Sequence, residues 1–427
     1  MSAPAAEKAA TTDQQYRYWQ TRILLSTIVG YALYYFVRKN LSVAMPAMEQ
    51  TLGLSKSQLG LFLTMHGLLY GVSKFLNGFV GDRMNARWMM ASGLVVCGLL
   101  NLAFGMSSTA FTLGLLWMIN GWFQGVGFPP CARLLTHWFP PKVLAMKWSI
   151  WSSSHSLGAG LVVVLCGYLV VHGWRLCFYV PAGIALGGAL LMVLALRDTP
   201  ESLGLPPIEA AGDHARTPGG GFARLVFRNR YIWLVAVANL FVYTVRYGIL
   251  DWGPTFLKQA RHIDLTSAGW MVAAFEGSGI LGMLTSGWLT DHFFGGRATR
   301  VCPLYMGSCV AALVLFWRLP NAGMATSVAL LCLAGFFIYA PQTLVGIAAA
   351  NLATKRAAAT AVGLTGFFGY LSTVISGVGV GWLVEHHGWD AGFLLFVVAA
   401  AIGTALFVVC WPARADGYER DPVAATS

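Results

Sequence analysis

Two arginines stand where arginine is costly. Arg38 lies in Tyr35-Phe-Val-Arg38 and Arg246 in Tyr243-Thr-Val-Arg246, each well inside a long apolar run. An ionisable side chain at membrane depth is expensive and marks a functional site by default. A guanidinium offers a planar fork of donors that fits phosphate or carboxylate in bidentate fashion. The two positions are 208 residues apart and repeat the same local pattern. In a duplicated bundle they should face each other across a central cavity and repel unless an anion lies between them. The alternative is pairing with a buried carboxylate, for which Glu276 and Asp251 are the candidates. These two acids would serve as counter-ions holding an empty site together, or as a proton path.

Further groups extend that chemistry. Lys74 lies in Tyr70-Gly-Val-Ser-Lys-Phe, only eight residues before Asp82, so snorkelling to a membrane face competes with a site role. Lys39 follows Arg38 and would point about 100° away round a regular helix. His155, within Ser152-Ser-Ser-His-Ser, has an ordinary pKa near 6.5, close to the second pKa of a phosphate monoester near 6. A hydrogen-bonded packing histidine is the competing explanation. Tyr31, Tyr35, Tyr243, Tyr339 and Tyr370 fall in runs that would border a cavity, where a phenol offers a ring and a hydroxyl. Each one singly is as readily explained as core.

The elements that must carry these residues follow from composition. The chain has 427 residues, 57% hydrophobic and 11% charged. Soluble domains carry about 25% charge, so this chain cannot cover a water-facing surface and lipid must be its solvent. A spanning helix needs about 20 mostly apolar residues, and about twelve such stretches occur. The first six lie near Ile23–Met45, Leu59–Val80, Met89–Met106, Leu113–Leu135, Ala145–Val171 and Leu176–Leu196. The second six lie near Tyr231–Leu257, Ala268–Leu289, Cys302–Trp317, Ala325–Ala350, Ala359–Val384 and Gly392–Trp411. Between them Arg197–Arg228 is polar and rich in Pro and Gly, a linker composition.

The halves repeat. Besides the arginines, Gly78-Phe-Val-Gly-Asp82 matches Gly287-Trp-Leu-Thr-Asp291, and Gly173-Trp174 matches Gly388-Trp389, at offsets of 209 and 215 residues. Two related six-helix halves put a substrate site near the midplane. The predicted organisation is therefore an all-α membrane protein: tail 1–21, bundle 22–196, linker 197–228, bundle 229–411 and tail 412–427. Lys and Arg collect on alternate loops, at Arg83 and Arg87, at Arg133, Lys142 and Lys147, in the linker, at Arg297 and Arg300, and at Lys355 and Arg356. By the positive-inside rule both termini are cytoplasmic, in a cell's inner (plasma) membrane.

Several functions are excluded. The net charge of +11 is that loop bias, not a nucleic-acid surface. The eight cysteines stand singly in apolar stretches, without disulfide or zinc spacing. No GxxxxGK[ST], GxSxG or HExxH occurs, which argues against an ATP-driven pump or an enzyme and leaves no cofactor or metal motif. Gly78, Asp82, Arg83 and Arg87, with Asp291 in the second half, read as a structural loop that latches the membrane face.

The Gly78–Arg87 segment resembles the signature loop of the major facilitator superfamily. More closely, Gly30-Tyr-Ala-Leu-Tyr-Tyr-Phe-Val-Arg-Lys-Asn, Tyr70-Gly-Val-Ser-Lys-Phe, Asp82-Arg-Met-Asn-Ala-Arg, Trp122-Phe-Gln-Gly-Val-Gly and Asp251-Trp-Gly are similar to the organophosphate:inorganic phosphate antiporter family, from about Tyr16 to Trp411. That family includes glycerol-3-phosphate and hexose-phosphate transporters and a membrane sensor of sugar phosphate. Tyr16-Arg-Tyr-Trp19 and Leu196-Arg-Asp198 look most like the sensor branch. The resemblance implies that Arg38 and Arg246 are the paired phosphate-binding arginines, and that Lys74, His155, Lys39, Tyr31, Tyr35, Tyr243, Tyr339 and Tyr370 fall on site positions. It departs at Ser152 and Ser156, where asparagine is common in the family, and at Val362 and Thr365, where hexose-phosphate transporters carry an Asp/Lys pair.

The expected function is exchange of an organic phosphate for inorganic phosphate by alternating access, in which only the loaded carrier reorients freely. Two alternatives stand beside it. One is a sensor of the same fold with a signalling kinase as partner. The other is a proton-coupled organic anion carrier using Glu276 or Asp251. Nucleic acid is not an expected partner; the lipid bilayer is.

Overall fold

The computed structural model describes residues 3–81, 84–206, 208, 226–320, 323–353 and 358–414. Fourteen α-helices are named here: α1 (Ala3–Phe36), α2 (Asn40–Leu52), α3 (Lys56–Gly81), α4 (Ala86–Met106), α5 (Ala110–Gln124), α6 (Phe128–Trp138), α7 (Pro141–Leu169) and α8 (Leu176–Ala195), then α9 (Arg230–Ala260), α10 (Leu265–Phe294), α11 (Ala298–Arg318), α12 (Met324–Leu352), α13 (Ala358–Leu371) and α14 (Val380–Val409). The fold is all-α, and its helices supply the twelve expected spans once three interruptions are recognised. The first span breaks between α1 and α2, the fourth between α5 and α6, and the eleventh, begun by α13, runs on into α14, which is bent at Gly388, with φ 77°, where the last two spans join. Among the described residues seven helical stretches are apolar enough to cross a membrane by length and composition, one of them joining the last two spans. The other four spans are the two broken ones and the more polar α3 and α10.

Local signals set the helix ends. Asn85 caps α4 by accepting from Arg87 and Trp88 amides, Thr109 caps α5, and Asn229 caps α9. Asp264 caps α10, and the Ser267 hydroxyl and amide hold its carboxyl below the usual carboxylate range. Gly295 ends α10 in the left-handed region at φ 54°. Leu284, Phe293, Phe111 and Phe367 remain exposed, which only a lipid solvent makes favourable.

The chain forms two compact units. Unit 1 is Met1–Asn40, Leu69–Val162 and Arg175–Arg216; unit 2 is Leu41–Leu68, Val163–Trp174 and Thr217–Ser427. In unit 1, α8 packs on α1 and α4, and α4 also on α5 and α6. In unit 2, α14 packs on α9 and α11, and α12 on α10, α11 and α9. The contacts of α8 with α1 and α4 correspond to those of α14 with α9 and α11, as the sequence repeat requires. Two segments of the expected first bundle, 41–68 and 163–174, belong to unit 2. There Thr64 donates to the Thr373 carbonyl at 2.8 Å and accepts from the Val378 amide at 2.9 Å, beside a turn of π-helix at Val374–Gly379. Gln259 donates to Glu49 at 2.7 Å, the Ser57 amide donates to Glu385 at 2.8 Å, and Thr266 donates to the Gly167 carbonyl at 2.8 Å.

The expected tail 1–21 is helical from Ala3, because its alanines and glutamines favour helix and nothing after Pro4 breaks it. Most of the expected linker lies outside the described residues, as do Asp82, Arg83, Lys355, Arg356 and the end of the chain after residue 414.

Candidate functional site

In unit 1 the site residues converge because α1 and α7 touch backbone to backbone. A Cβ at Gly158 would stand 2.5 Å from the Ala32 carbonyl oxygen, so glycine alone permits this approach. It brings His155 against Tyr31 and Tyr35, with ring centroids 4.8 and 5.6 Å apart, and against Trp151 at 5.2 Å. His155 Nδ1 lies 2.6 Å from the Ser152 carbonyl oxygen. A carbonyl can only accept, so Nδ1 is the nitrogen that donates in this contact. The Tyr31 and Tyr70 hydroxyls are 3.1 Å apart. Arg38 is buried at 7% exposure, its guanidinium 4.1 Å from the centroid of the Tyr70 ring and 5.5 Å from that of Tyr35. Two electron-rich faces thus help to stabilise the charge. Lys74 Nζ lies 3.7 Å from the centre of the Phe128 ring. Lys39 is buried beside Arg38 in the break between α1 and α2.

The break has a clear cause. The Arg38 and Lys39 amides both turn to the Tyr35 carbonyl, at 3.2 and 2.9 Å, which leaves other carbonyls of the helix without their usual amides. Side-chain amides take them. Gln124 donates to the Tyr34 carbonyl at 3.0 Å, and Asn101 and Asn120 donate to the Val37 carbonyl at 3.1 and 2.9 Å. Asn40, just after the break, donates to Asn101 at 2.8 Å and to the Cys177 carbonyl at 2.9 Å. All four amide side chains are 2% exposed or less.

In unit 2 the arrangement is ionic. α10 and α12 approach so closely that a Cβ at Gly282 would stand 1.9 Å from the Phe336 carbonyl oxygen. The Tyr339 ring covers Gly279, and its hydroxyl donates to Glu276. The Arg246 guanidinium lies 4.0 Å from the same Glu276 oxygen and 4.5 Å from the Tyr339 ring centroid. Arg246 and Glu276 are 3% exposed or less, and charge at such depth persists where it is paired. Of the two pairings the sequence left open, Arg246 adopts the one with Glu276 here. Tyr243 packs edge-on to Tyr247 at 5.2 Å and to Tyr370 at 6.4 Å. Asp251 is buried a turn beyond Arg246 on the same helix. Thr365 is buried, its carbonyl accepting from Asn239 at 2.8 Å, whereas Val362 is exposed.

Of the loop residues, Gly78 lies in α3, Asp291 is an exposed residue of α10, and Arg87 stands in the first turn of α4 over the Trp88 ring. Sequence reasoning missed Tyr70, Trp151 and the amides Asn40, Asn101, Asn120 and Gln124. Uncharged polar residues inside apolar spans were the available signal.

Buried cations, an imidazole and clustered phenols within apolar helices, together with the internal repeat, are the features of a membrane transport protein. The Major Facilitator Superfamily model matches residues 27–377, and the chain belongs to that family. It is 38% identical to a probable hexose phosphate transport protein of Chlamydia pneumoniae over 95% of this chain and 94% of that one. It is 35% identical to the glycerol-3-phosphate transporter of Bacillus subtilis, over 93% and 94% of the two chains. It is 35% identical to the membrane sensor protein UhpC of Salmonella typhimurium, over 95% of each. The crystal structure of an inward-facing, unoccupied bacterial homologue of the lysosomal transporter Spinster shares the fold, with TM-score 0.77 and 17% identity over 93% of this chain and 98% of that one.

Proposed function

We propose that this protein carries an organic phosphate across the membrane in exchange for inorganic phosphate. The observation that supports the reading most is the pair of buried guanidiniums, Arg38 and Arg246, at repeat-equivalent positions and 7% and 3% exposed. A phosphate monoester carries about −1.5 to −2 charge near neutrality, which matches two such cations. The named relatives include carriers of hexose phosphate and glycerol-3-phosphate, in keeping with that charge. Arg38 and Arg246 bind phosphate oxygens, Lys74 and His155 adjust the charge around them, and Lys39 with the tyrosines lines the site. Glu276 holds Arg246 until substrate draws it away. A ligand moves a conformational equilibrium only through its different affinity for the two states. Phosphate bound more tightly in one state than in the other favours reorientation of the loaded carrier, and exchange follows.

The test is exchange of radiolabelled phosphate in proteoliposomes, with and without external phosphate esters. Wild-type protein should exchange. Arg38→Lys and Arg246→Lys keep the charge but lose the bidentate fork, so each should reduce exchange at least tenfold, as expected when charge-assisted hydrogen bonds worth about 1.5–3 kcal/mol are lost. Flux that follows the proton gradient and ignores internal phosphate would refute the antiport.

A second reading, a sugar-phosphate sensor, rests on a separate observation. The two sensor-like sequences, Tyr16–Trp19 and Leu196–Asp198, meet on unit 1. Trp19 packs on Trp138 at 6.2 Å, Arg197 lies 5.4 Å over the Trp19 ring, and the Trp138 indole donates to the Arg197 carbonyl at 3.1 Å. Binding of phosphate ester without any flux in the same vesicles would favour this reading.

A further inference from the structure

The two arginines at matching positions are built into their helices differently. Arg246 stands in α9, which runs unbroken from Arg230 to Ala260. Arg38 stands in a three-residue gap, 37–39, between two helices, and no proline or glycine lies within it. A gap of that kind inside an apolar bundle would leave bare carbonyls, each costly to bury. The Tyr34 and Val37 carbonyls, the latter belonging to the residue directly before Arg38, are held by Gln124, Asn101 and Asn120 from α5 and α4. Asn101 is fixed in turn: its Oδ1 accepts from Asn40, whose amide also donates to the Cys177 carbonyl, and its own Nδ2 donates to the Cys97 carbonyl at 2.9 Å as well. An uninterrupted helix would need none of these groups.

We propose that Asn101, Asn120 and Gln124 are positioning residues that set the orientation of Arg38 and so its affinity for phosphate. The inference rests on the phosphate reading above. The peptide that joins Val37 to Arg38 includes the clamped carbonyl, so a rotation of that peptide swings the Arg38 Cα and moves a guanidinium several bonds away by more than the rotation itself. The Tyr70 ring, 4.1 Å from the guanidinium, guides the far end of the side chain, and the amides fix its root. Asn101, Asn120 and Gln124 do not touch substrate in this role. They act through Arg38 alone, which gives them a recognisable signature: their loss weakens every phosphate ligand by the same factor and adds nothing once Arg38 itself is changed.

The experiment uses the full chain purified into nanodiscs, with inorganic phosphate and glycerol-3-phosphate as probes in calorimetric titrations. The variants are Asn120→Leu and Gln124→Met, which keep shape and remove the amide, together with Arg38→Lys and the double variant Arg38→Lys/Asn120→Leu. Thermal unfolding is recorded on each. We expect Kd to rise about tenfold for both probes in Asn120→Leu, as the loss of one buried hydrogen bond to the clamped peptide permits, with the ratio between probes unchanged. The double variant should bind no more weakly than Arg38→Lys. If Asn120→Leu does not fold, Gln124→Met carries the same expectation through the Tyr34 carbonyl. Unchanged affinity in a folded variant, or an additive loss in the double variant, would overturn the positioning role and leave the phosphate reading standing. Wild-type protein that binds neither probe would overturn both.

Discussion

Arg38 and Arg246 share a sequence pattern and both are buried, yet one rests on aromatic faces and a clamped backbone, the other on a carboxylate and a phenol. The difference predicts unequal responses. Replacing Glu276 with Gln keeps an acceptor for the Tyr339 hydroxyl but strands the Arg246 charge, a change that costs about 3–5 kcal/mol at buried sites. Glu276→Gln should therefore melt several degrees below wild type when empty. Saturating inorganic phosphate should close most of that gap by supplying the missing negative charge. A melting point equal to wild type without phosphate would show that Arg246 does not depend on Glu276. Both arginines, Glu276 and His155 could be read from the sequence, because ionisable groups in apolar runs announce themselves. The pairing of Arg246 with Glu276 rather than Asp251 could not, since it depends on how α9 and α10 rotate against each other.

At the scale of elements, the close packing of α10 on α12 is what sets Tyr339 beside Glu276. Gly282→Ala would drive a methyl group into the Phe336 backbone, where a Cβ has only 1.9 Å, so helices must shift. Overpacking of that kind costs about 1–3 kcal/mol, and the shift should weaken phosphate binding as well. Gly277→Ala on the same helix meets nothing within 4 Å and should be neutral or slightly stabilising, by up to about 1 kcal/mol from helix propensity. Parallel melting curves of the two variants check the pair; equal destabilisation would contradict this account. Hydrophobic runs gave the positions of the spans, but Leu113–Leu135 was read as one run although Gly125-Val-Gly127 and Pro129-Pro130 lie at the break between α5 and α6. The break at 37–39 was invisible, because Phe-Val-Arg-Lys-Asn holds no breaker and the interruption is made by amides from other helices. The π-helical turn at Val374–Gly379 likewise meets Thr64 of another helix, which donates to the Thr373 carbonyl just before it and accepts from the Val378 amide within it.

At the scale of the molecule, the duplication was legible from three matched sequence patterns, and α8 and α14 make corresponding contacts in the two units. The placement of 41–68 and 163–174 in unit 2 was not, since nothing in a hydropathy pattern says which neighbour a span will choose. It has a consequence for fragments. Polypeptides 1–206 and 226–427 expressed together should copurify from detergent, because residues 41–68 of the first pack within the unit formed by the second. Independent recovery of both fragments would contradict that assignment. The contact itself is peculiar. Carbons added at Gly60 or Gly381 would fall 2.5 and 2.3 Å from opposing carbonyl oxygens, those of Gly377 and Lys56, so main chain lies on main chain there. Surfaces joined in this way have no interlocking shapes to disengage. Backbones this close keep many atoms within dispersion range, and Thr64 adds hydrogen bonds to the Thr373 carbonyl and from the Val378 amide, so cohesion comes from contact and hydrogen bonding rather than from interdigitated side chains. Such a joint is smooth rather than toothed, and its closeness lasts only while nothing larger than a hydrogen stands on its glycine faces.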